Sequence, residues 1–128
     1  MSRSRKTGPT DGELAILRVL WEEGPSTVRQ VHEELKGKDA AGYTTTLKLL
    51  QIMAEKGLVE RDESQRSHVY SARHSEEITQ RKLVKEMLDK AFSGSAHKLV
   101  MHALSAKNVS AGELAKIREL LDELEGGS

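Results

Sequence analysis

Apolar positions recur with helical spacing from the start of the chain. Leu14, Leu17, Leu20 and Trp21, with Ile16 beside them, share one side of a segment that the capping box Thr10-Asp11-Gly12-Glu13 opens and Gly24-Pro25 ends. This predicts a helix over about Asp11 to Glu23. A second capping box, Thr27-Val28-Arg29-Gln30, starts a shorter helix in which Val28, Val31 and Leu35 line one side until Gly37. Lys36 to Gly42 reads as a loop. Thr44 to Lys56 then carries Thr46, Leu49, Leu50 and Met53 at i, i+3, i+4 and i+7 and stops at Gly57. Two short alternating runs follow, Leu58-Val59-Glu60-Arg61 and His68-Val69-Tyr70-Ser71, joined by the polar Asp62 to Ser67, the pattern of a hairpin. The fold class expected is mainly α with a small β-hairpin. Three short helices and a hairpin are the order of a winged helix-turn-helix, the third helix being the reader and the hairpin the wing.

After Ser75 the pattern is helical to the end, which predicts a second module. In Ile78 to Phe92 the residues Val84, Met87, Leu88 and Ala91 share a face. Gly94 interrupts, Leu99, Val100, Ala103 and Leu104 suggest a short helix, and Ser110-Ala111-Gly112-Glu113 caps a last one. There Leu114, Ile117, Leu121 and Leu124 fall at heptad a/d spacing with Leu120 adjacent. Three thin amphipathic helices have too little apolar surface to cover one another within one chain, so a second copy is the expected cover. The dimerisation residues expected are Val84, Met87, Leu88, Leu99, Val100, Leu114, Ile117, Leu121 and Leu124. The expected organisation is a flexible basic tail over 1–9, a winged helix-turn-helix over 10–74, a helical dimerisation module over 75–125 and a disordered end over 126–128.

Composition narrows the function classes. The chain has 128 residues, 37% hydrophobic and 31% charged, which suits one small domain with an appendage. Without cysteine it has no disulfide, thiolate metal site or cysteine nucleophile. No apolar run is long enough to span a bilayer, and Arg3, Arg5 and Lys6 lead into no signal-peptide core, so the expectation is a cytoplasmic protein with no membrane contact. Twenty basic and twenty acidic residues cancel, which argues against indiscriminate nucleic-acid binding while leaving room for a local basic face. No Ser-His-Asp order, phosphate-cradling glycine loop or HExxH motif occurs, so no enzyme is expected. Of the five histidines, His74, His97 and His102 are the candidate soft ligands, and they have no partners at metal-site spacing; neither metal nor cofactor is expected.

The opposite stripe of the third helix, Thr44, Lys48, Gln51 and Glu55, is wholly polar, and its first half has hydrogen-bonding groups without acids. Thr44 and Thr45 suit base-edge contact at the start of a reader helix, against the bland reading in which threonine merely caps it. Lys48 suits phosphate or base contact, and Gln51 has the geometry to read adenine. Leu47 and Ile52 are expected to pack, with thymine methyl contact as the alternative. At the wing, Arg66 is the leading candidate for phosphate or the minor groove, with Arg61 and His68 behind it and Asp62 and Glu63 opposing. Arg29 and Tyr43 are candidate phosphate contacts flanking the reader helix. Arg3, Arg5 and Lys6 read equally as weak backbone attraction or as a solvated end, and Trp21 reads as a core residue.

The run Gly42-Tyr43-Thr44-Thr45, then Leu49-Leu50, then Lys56-Gly57-Leu58-Val59, with Glu13 and Leu20-Trp21 upstream, resembles the penicillinase-repressor family of BlaI, MecI and CopY type. The resemblance runs from about Pro9 to Leu124. It implies a homodimer of DNA-binding domains held by C-terminal helices, repressing transcription from a palindromic double-stranded operator and relieved by a signal such as proteolysis by a regulatory protease. Two inducers of the family lack their residues here. Copper-responsive members use a cysteine hook, and β-lactam-responsive members are cut at an Asn-Phe bond where this chain has His102-Ala103. Leu47 and Ile52 also stand where polar or basic reader residues are expected, which implies a different operator. The alternatives are a winged-helix adaptor for protein contact and a winged helix that responds to a small molecule.

Overall fold

The computed structural model describes residues 8–35 and 42–126. The basic tail residues Arg3, Arg5 and Lys6, and the loop expected over Lys36 to Gly42 except for Gly42 itself, lie outside the described residues. Contacts divide the chain into two units, Met1–Val84 and Lys85–Ser128.

In the first unit α1 runs Asp11–Glu23, α2 Val28–Leu35 and α3 Tyr43–Lys56. Both capping boxes are formed. Thr10 Oγ1 accepts from the Glu13 N–H at 3.2 Å while Glu13 Oε1 accepts from the Thr10 N–H at 3.0 Å. Thr27 and Gln30 repeat the exchange at 3.2 and 2.8 Å. Each box satisfies donors that a helix start would otherwise leave without a partner. At the other end of α3, Gly57 adopts φ +82° and closes the helix with its N–H on the carbonyls of Ala54 and Met53. That left-handed conformation is strained for residues with a Cβ.

The helices converge on one core of Ile16, Leu17, Val19, Leu20, Val28, Val31, Leu50, Met53, Val59 and Tyr70. Full burial of each aliphatic side chain contributes about 1.5–3 kcal/mol, so this cluster is what holds the three helices in place. Trp21 packs at its edge, and its indole N–H donates to the His74 carbonyl at 3.0 Å. It is therefore a half-buried clasp, where the sequence suggested a core filler.

The expected hairpin is one part of a three-stranded antiparallel sheet. Strands β2 (Val59–Asp62) and β3 (Val69–Ala72) pair as Val59↔Ala72 through Asp62↔Val69, one residue further along than the alternation suggested. A third strand, β1 (Ser26–Thr27), joins the free edge of β3 through Ser26↔Tyr70 and Thr27↔Val69. The strand order is β1-β3-β2.

Helix α4 (Glu76–Ala91) begins in the first unit, its Ile78 N–H capped by Ser75 Oγ at 3.1 Å. It ends where Ser93 and Gly94 both take positive φ, 50° and 81°, and the Gly94 N–H donates to the Leu88 carbonyl at 2.9 Å. In the second unit α5 (Ala96–Ser105) is capped by Ser95 and α6 (Ala111–Gly126) by Ser110. Gly126 is the last residue of α6 and so belongs to a helix, contrary to the disordered end expected from that position. The Phe92 and His102 rings lie 5.7 Å apart. No residue of α4, α5 or α6 is buried. Leu88, Leu99, Leu114 and Ile117 are half-buried, while Val84, Met87, Val100, Leu121 and Leu124 are exposed, Leu124 by 70%.

Candidate nucleic-acid interface

Which side of α3 faces outward follows from its buried residues. Thr46, Leu50 and Met53 point into the core, and Leu47, Leu49 and Ala54 pack against it. The exposed side is left with Thr44, Thr45, Lys48, Gln51, Ile52 and Glu55. Gly42 is the N-cap and makes no side-chain cap bond, so neither Thr44 nor Thr45 serves as the cap. Leu47 packs as expected from the sequence, whereas Ile52 is 37% exposed and does not.

Beside this helix lies an open groove of about 460 Å³ walled by three elements. Arg29 and Val28 come from the start of α2, with Thr27 of β1 just before them; Tyr43, Leu47 and Gln51 come from α3; Arg61, Arg66, Ser67, His68 and Tyr70 come from the wing. Six of the nine residues nominated for DNA contact thus line one surface. Thr44, Thr45 and Lys48 stand on the exposed face of α3 outside the groove lining.

Inside the groove the aromatic and cationic groups are arranged against each other. The Arg29 guanidinium sits 5.6 Å from the centre of the Tyr43 ring, and His32 meets the same ring edge-on at 5.9 Å. Stacking fixes the direction of the guanidinium fork while leaving its N–H donors free to point outward. On the wing, Arg61 stands directly across the ladder from Tyr70 and forms an ion pair with Glu63. The Tyr70 hydroxyl and then the Glu63 carboxylate push the Arg61 guanidinium further toward its charged form. Asp62 is turned to local use: its carboxylate accepts from the Ser64 N–H at 2.9 Å, which holds its pKa below the usual carboxylate value.

Sequence patterning pointed to most of the cations but not to the wall that joins them. Thr27, Val28, Ser67 and Tyr70 enter the groove because β1 pairs with β3, and nothing in a two-residue strand advertises that pairing. The Arg61–Glu63 ion pair did have a signal, since the two residues lie two apart at the start of a turn.

Chemically the surface is rich in donors: two guanidinium groups without a salt-bridge partner among the described residues, an amide, hydroxyls and an imidazole, with the third guanidinium on Glu63. Such a set matches phosphate oxygens and the acceptors of base edges. Among the described residues no group of three or more His, Cys, Asp or Glu is arranged to hold a metal ion, and no helix is long and apolar enough to cross a membrane.

Comparison with known proteins bears on the whole length of the chain. Transcriptional regulator BlaI of Mycobacterium tuberculosis is 35% identical over 119 residues, which is 91% of this chain and 85% of that protein. Methicillin resistance regulatory protein MecI of Staphylococcus aureus is 18% identical over 114 residues, covering 89% of this chain and 93% of that one. The solution structure of the DNA binding domain of the repressor BlaI aligns with TM-score 0.48 and 24% identity, over 53% of this chain and 83% of that domain. The family model for penicillinase repressors, a family of regulators and not of enzymes, matches residues 9–123, through both units described above. With nearly all of its length matched by that model and its capping, reader and wing segments in the expected order, the chain belongs to the penicillinase repressor family.

Proposed function

We propose that this chain represses transcription by binding double-stranded operator DNA as a homodimer in the cytoplasm. Helix α3 enters a major groove in each half-site, and the β2–β3 wing follows the flanking backbone. The observation that carries this is the continuous donor-rich surface made by α2, α3 and the wing. Thr44, Thr45 and Gln51 meet base edges, and Lys48 reaches a base edge or a phosphate. Arg29, Tyr43, Arg66, Arg61 and His68 grip the backbone from either side of the reader helix.

The dimer is supported by the apolar residues that α4, α5 and α6 leave without cover, Val84, Met87, Val100, Leu121 and Leu124 foremost. Leu88, Leu99, Leu114 and Ile117 complete that face. Two reader helices related by a two-fold axis require a palindromic operator with half-sites one or more helical turns apart. The two segments expected from the sequence divide the work: residues 10–74 bind DNA and residues 75–125 dimerise. Relief of repression comes from a signal such as proteolysis. The family's cleavage position corresponds to His102-Ala103 within α5, where both residues are exposed, so a protease would have to open that helix locally to bind it extended.

Fluorescence anisotropy with duplex DNA from upstream of the chain's own gene tests the reading against random duplex at physiological salt. Specific binding tighter by about a thousandfold or more is expected. Equal affinity for the two would overturn it. Sedimentation on the same sample is expected to give a dimer; a persistent monomer without DNA affinity would favour a protein-contact adaptor instead.

A further inference from the structure

The wing places an acid among the cations that face DNA in the reading above. Arg61, a groove residue, is engaged by Glu63 two positions further along, and both side chains are reachable by solvent, 35% and 53% exposed. Its neighbour Asp62 is committed to the Ser64 N–H at 2.9 Å, so of the two acids that begin the wing turn, Glu63 is the one set on a cation. Arg29 and Arg66 line the same groove and form no salt bridge among the described residues.

We propose that Glu63 is an affinity-limiting residue of the DNA interface: it occupies the Arg61 guanidinium in the free protein, and a backbone phosphate must displace it when DNA binds. The inference rests on the DNA-binding reading. An exposed ion pair is weak, so phosphate, which offers the same fork-matching oxygens, can replace the carboxylate. The exchange nevertheless subtracts from the gain of the Arg61 contact, because one counter-charge is traded for another. It also leaves the Glu63 carboxylate close to the phosphate backbone. Each effect falls on all DNA alike, since phosphates carry no sequence information. Glu63 therefore holds down sequence-independent binding, in keeping with a chain whose charges cancel.

The test uses the full-length protein and a random-sequence duplex, titrated at several salt concentrations. Glu63→Gln is expected to tighten binding by about threefold, the size of a weak exposed ion pair, while the slope of log K against log salt changes little because Arg61 meets a phosphate in both proteins. Arg61→Gln and the double variant E63Q/R61Q complete a cycle. If Glu63 acts through Arg61, most of the gain disappears once Arg61 is gone. An equal gain with and without Arg61 would reduce Glu63 to a general negative charge and overturn the proposal, as would no gain at all. Loss of all DNA affinity in the unsubstituted protein would be a failure of the DNA-binding reading itself, visible before any variant is compared.

Discussion

Lys56, the last residue of α3, places its Nζ 2.8 Å from Oε1 of Glu13 in the first turn of α1. The Glu13 side chain is only 3% exposed, and the same oxygen accepts from the Thr10 N–H. A carboxylate that the sequence marks as a local capping group therefore also fixes the far end of the reader helix, 43 residues away.

Removing Glu13 should unlink both attachments. Glu13→Ala is expected to cost about 3 kcal/mol, Lys56→Met about 1–2 kcal/mol because it leaves the buried carboxylate with one donor, and Thr10→Ala about 1 kcal/mol. Urea denaturation measures all three. A Lys56→Met effect no larger than that of Lys48→Met on the open face of α3 would show that the pair contributes nothing.

The open face of α3 and the wing tip should act on DNA mainly by charge. The double variant Lys48→Ala, Arg66→Ala is expected to flatten the salt dependence of operator binding by about 1.8 in log-log slope per protomer, taking about 0.9 for each phosphate lost. An unchanged slope would mean that neither side chain meets a phosphate.

Dimerisation should be separable from the winged-helix core. Leu121→Asp with Leu124→Asp puts charge on two residues that are 53% and 70% exposed in the single chain. The expected product is a monomer by sedimentation. Its first unit should keep native tertiary signals, because α5 and α6 contribute no residue to that core. A dimer of undiminished affinity would move the interface elsewhere.

Two glycines at the ends of α3 should respond unequally to the same change. Gly57→Ala forces a Cβ into φ +82° and is expected to destabilise by about 1 kcal/mol. Gly42 has φ −82° and open space around it, so Gly42→Ala should stay within about 0.5 kcal/mol. Equal losses in thermal unfolding would contradict this.

Asp62 should titrate below an ordinary aspartate, because the Ser64 N–H stabilises its ionised form. The turn gains this support above the ordinary carboxylate pKa and loses it as pH falls through the lowered one. An NMR titration of the Asp62 carboxyl checks the direction. Ser64→Pro deletes the donor and should return the midpoint toward the ordinary value; a midpoint at or above that value in the unsubstituted protein would refute the assignment.

What could be read from the sequence follows the range of the interactions involved. Thr10 with Glu13 and Thr27 with Gln30 are contacts three residues apart, and Leu17 with Leu20 in α1 and Leu50 with Met53 in α3 recur at helical spacing, so helix starts and buried faces were legible. The strands were found but offset by one residue, since the core accepts Val59 and Tyr70 while the bracketing Leu58 and Val69 remain half-buried and carry no contrasting polarity. Strand β1 was not legible: Ser26 and Thr27 are polar, few, and defined only by partners more than forty residues on. The candidate cations were legible as residue types. Their convergence was not, because it depends on that strand. Ile52, expected to pack, is exposed because the core is already filled from α3 by Leu50 and Met53.

The pairing of β1 with β3 ties the start of α2 to the wing through backbone hydrogen bonds at Ser26 and Thr27. Two walls of the groove are thus joined by one piece of sheet, which ties the backbone leading into Arg29 to the strand opposite Arg61. A wing on a free hairpin would lose motional freedom on meeting a duplex, and that loss would weaken binding. This wing is anchored through β3 before any duplex arrives. Encounter with DNA is then a docking of two shaped surfaces, and the rate of association should be governed by orientation and ionic strength, with no slow closing step after contact.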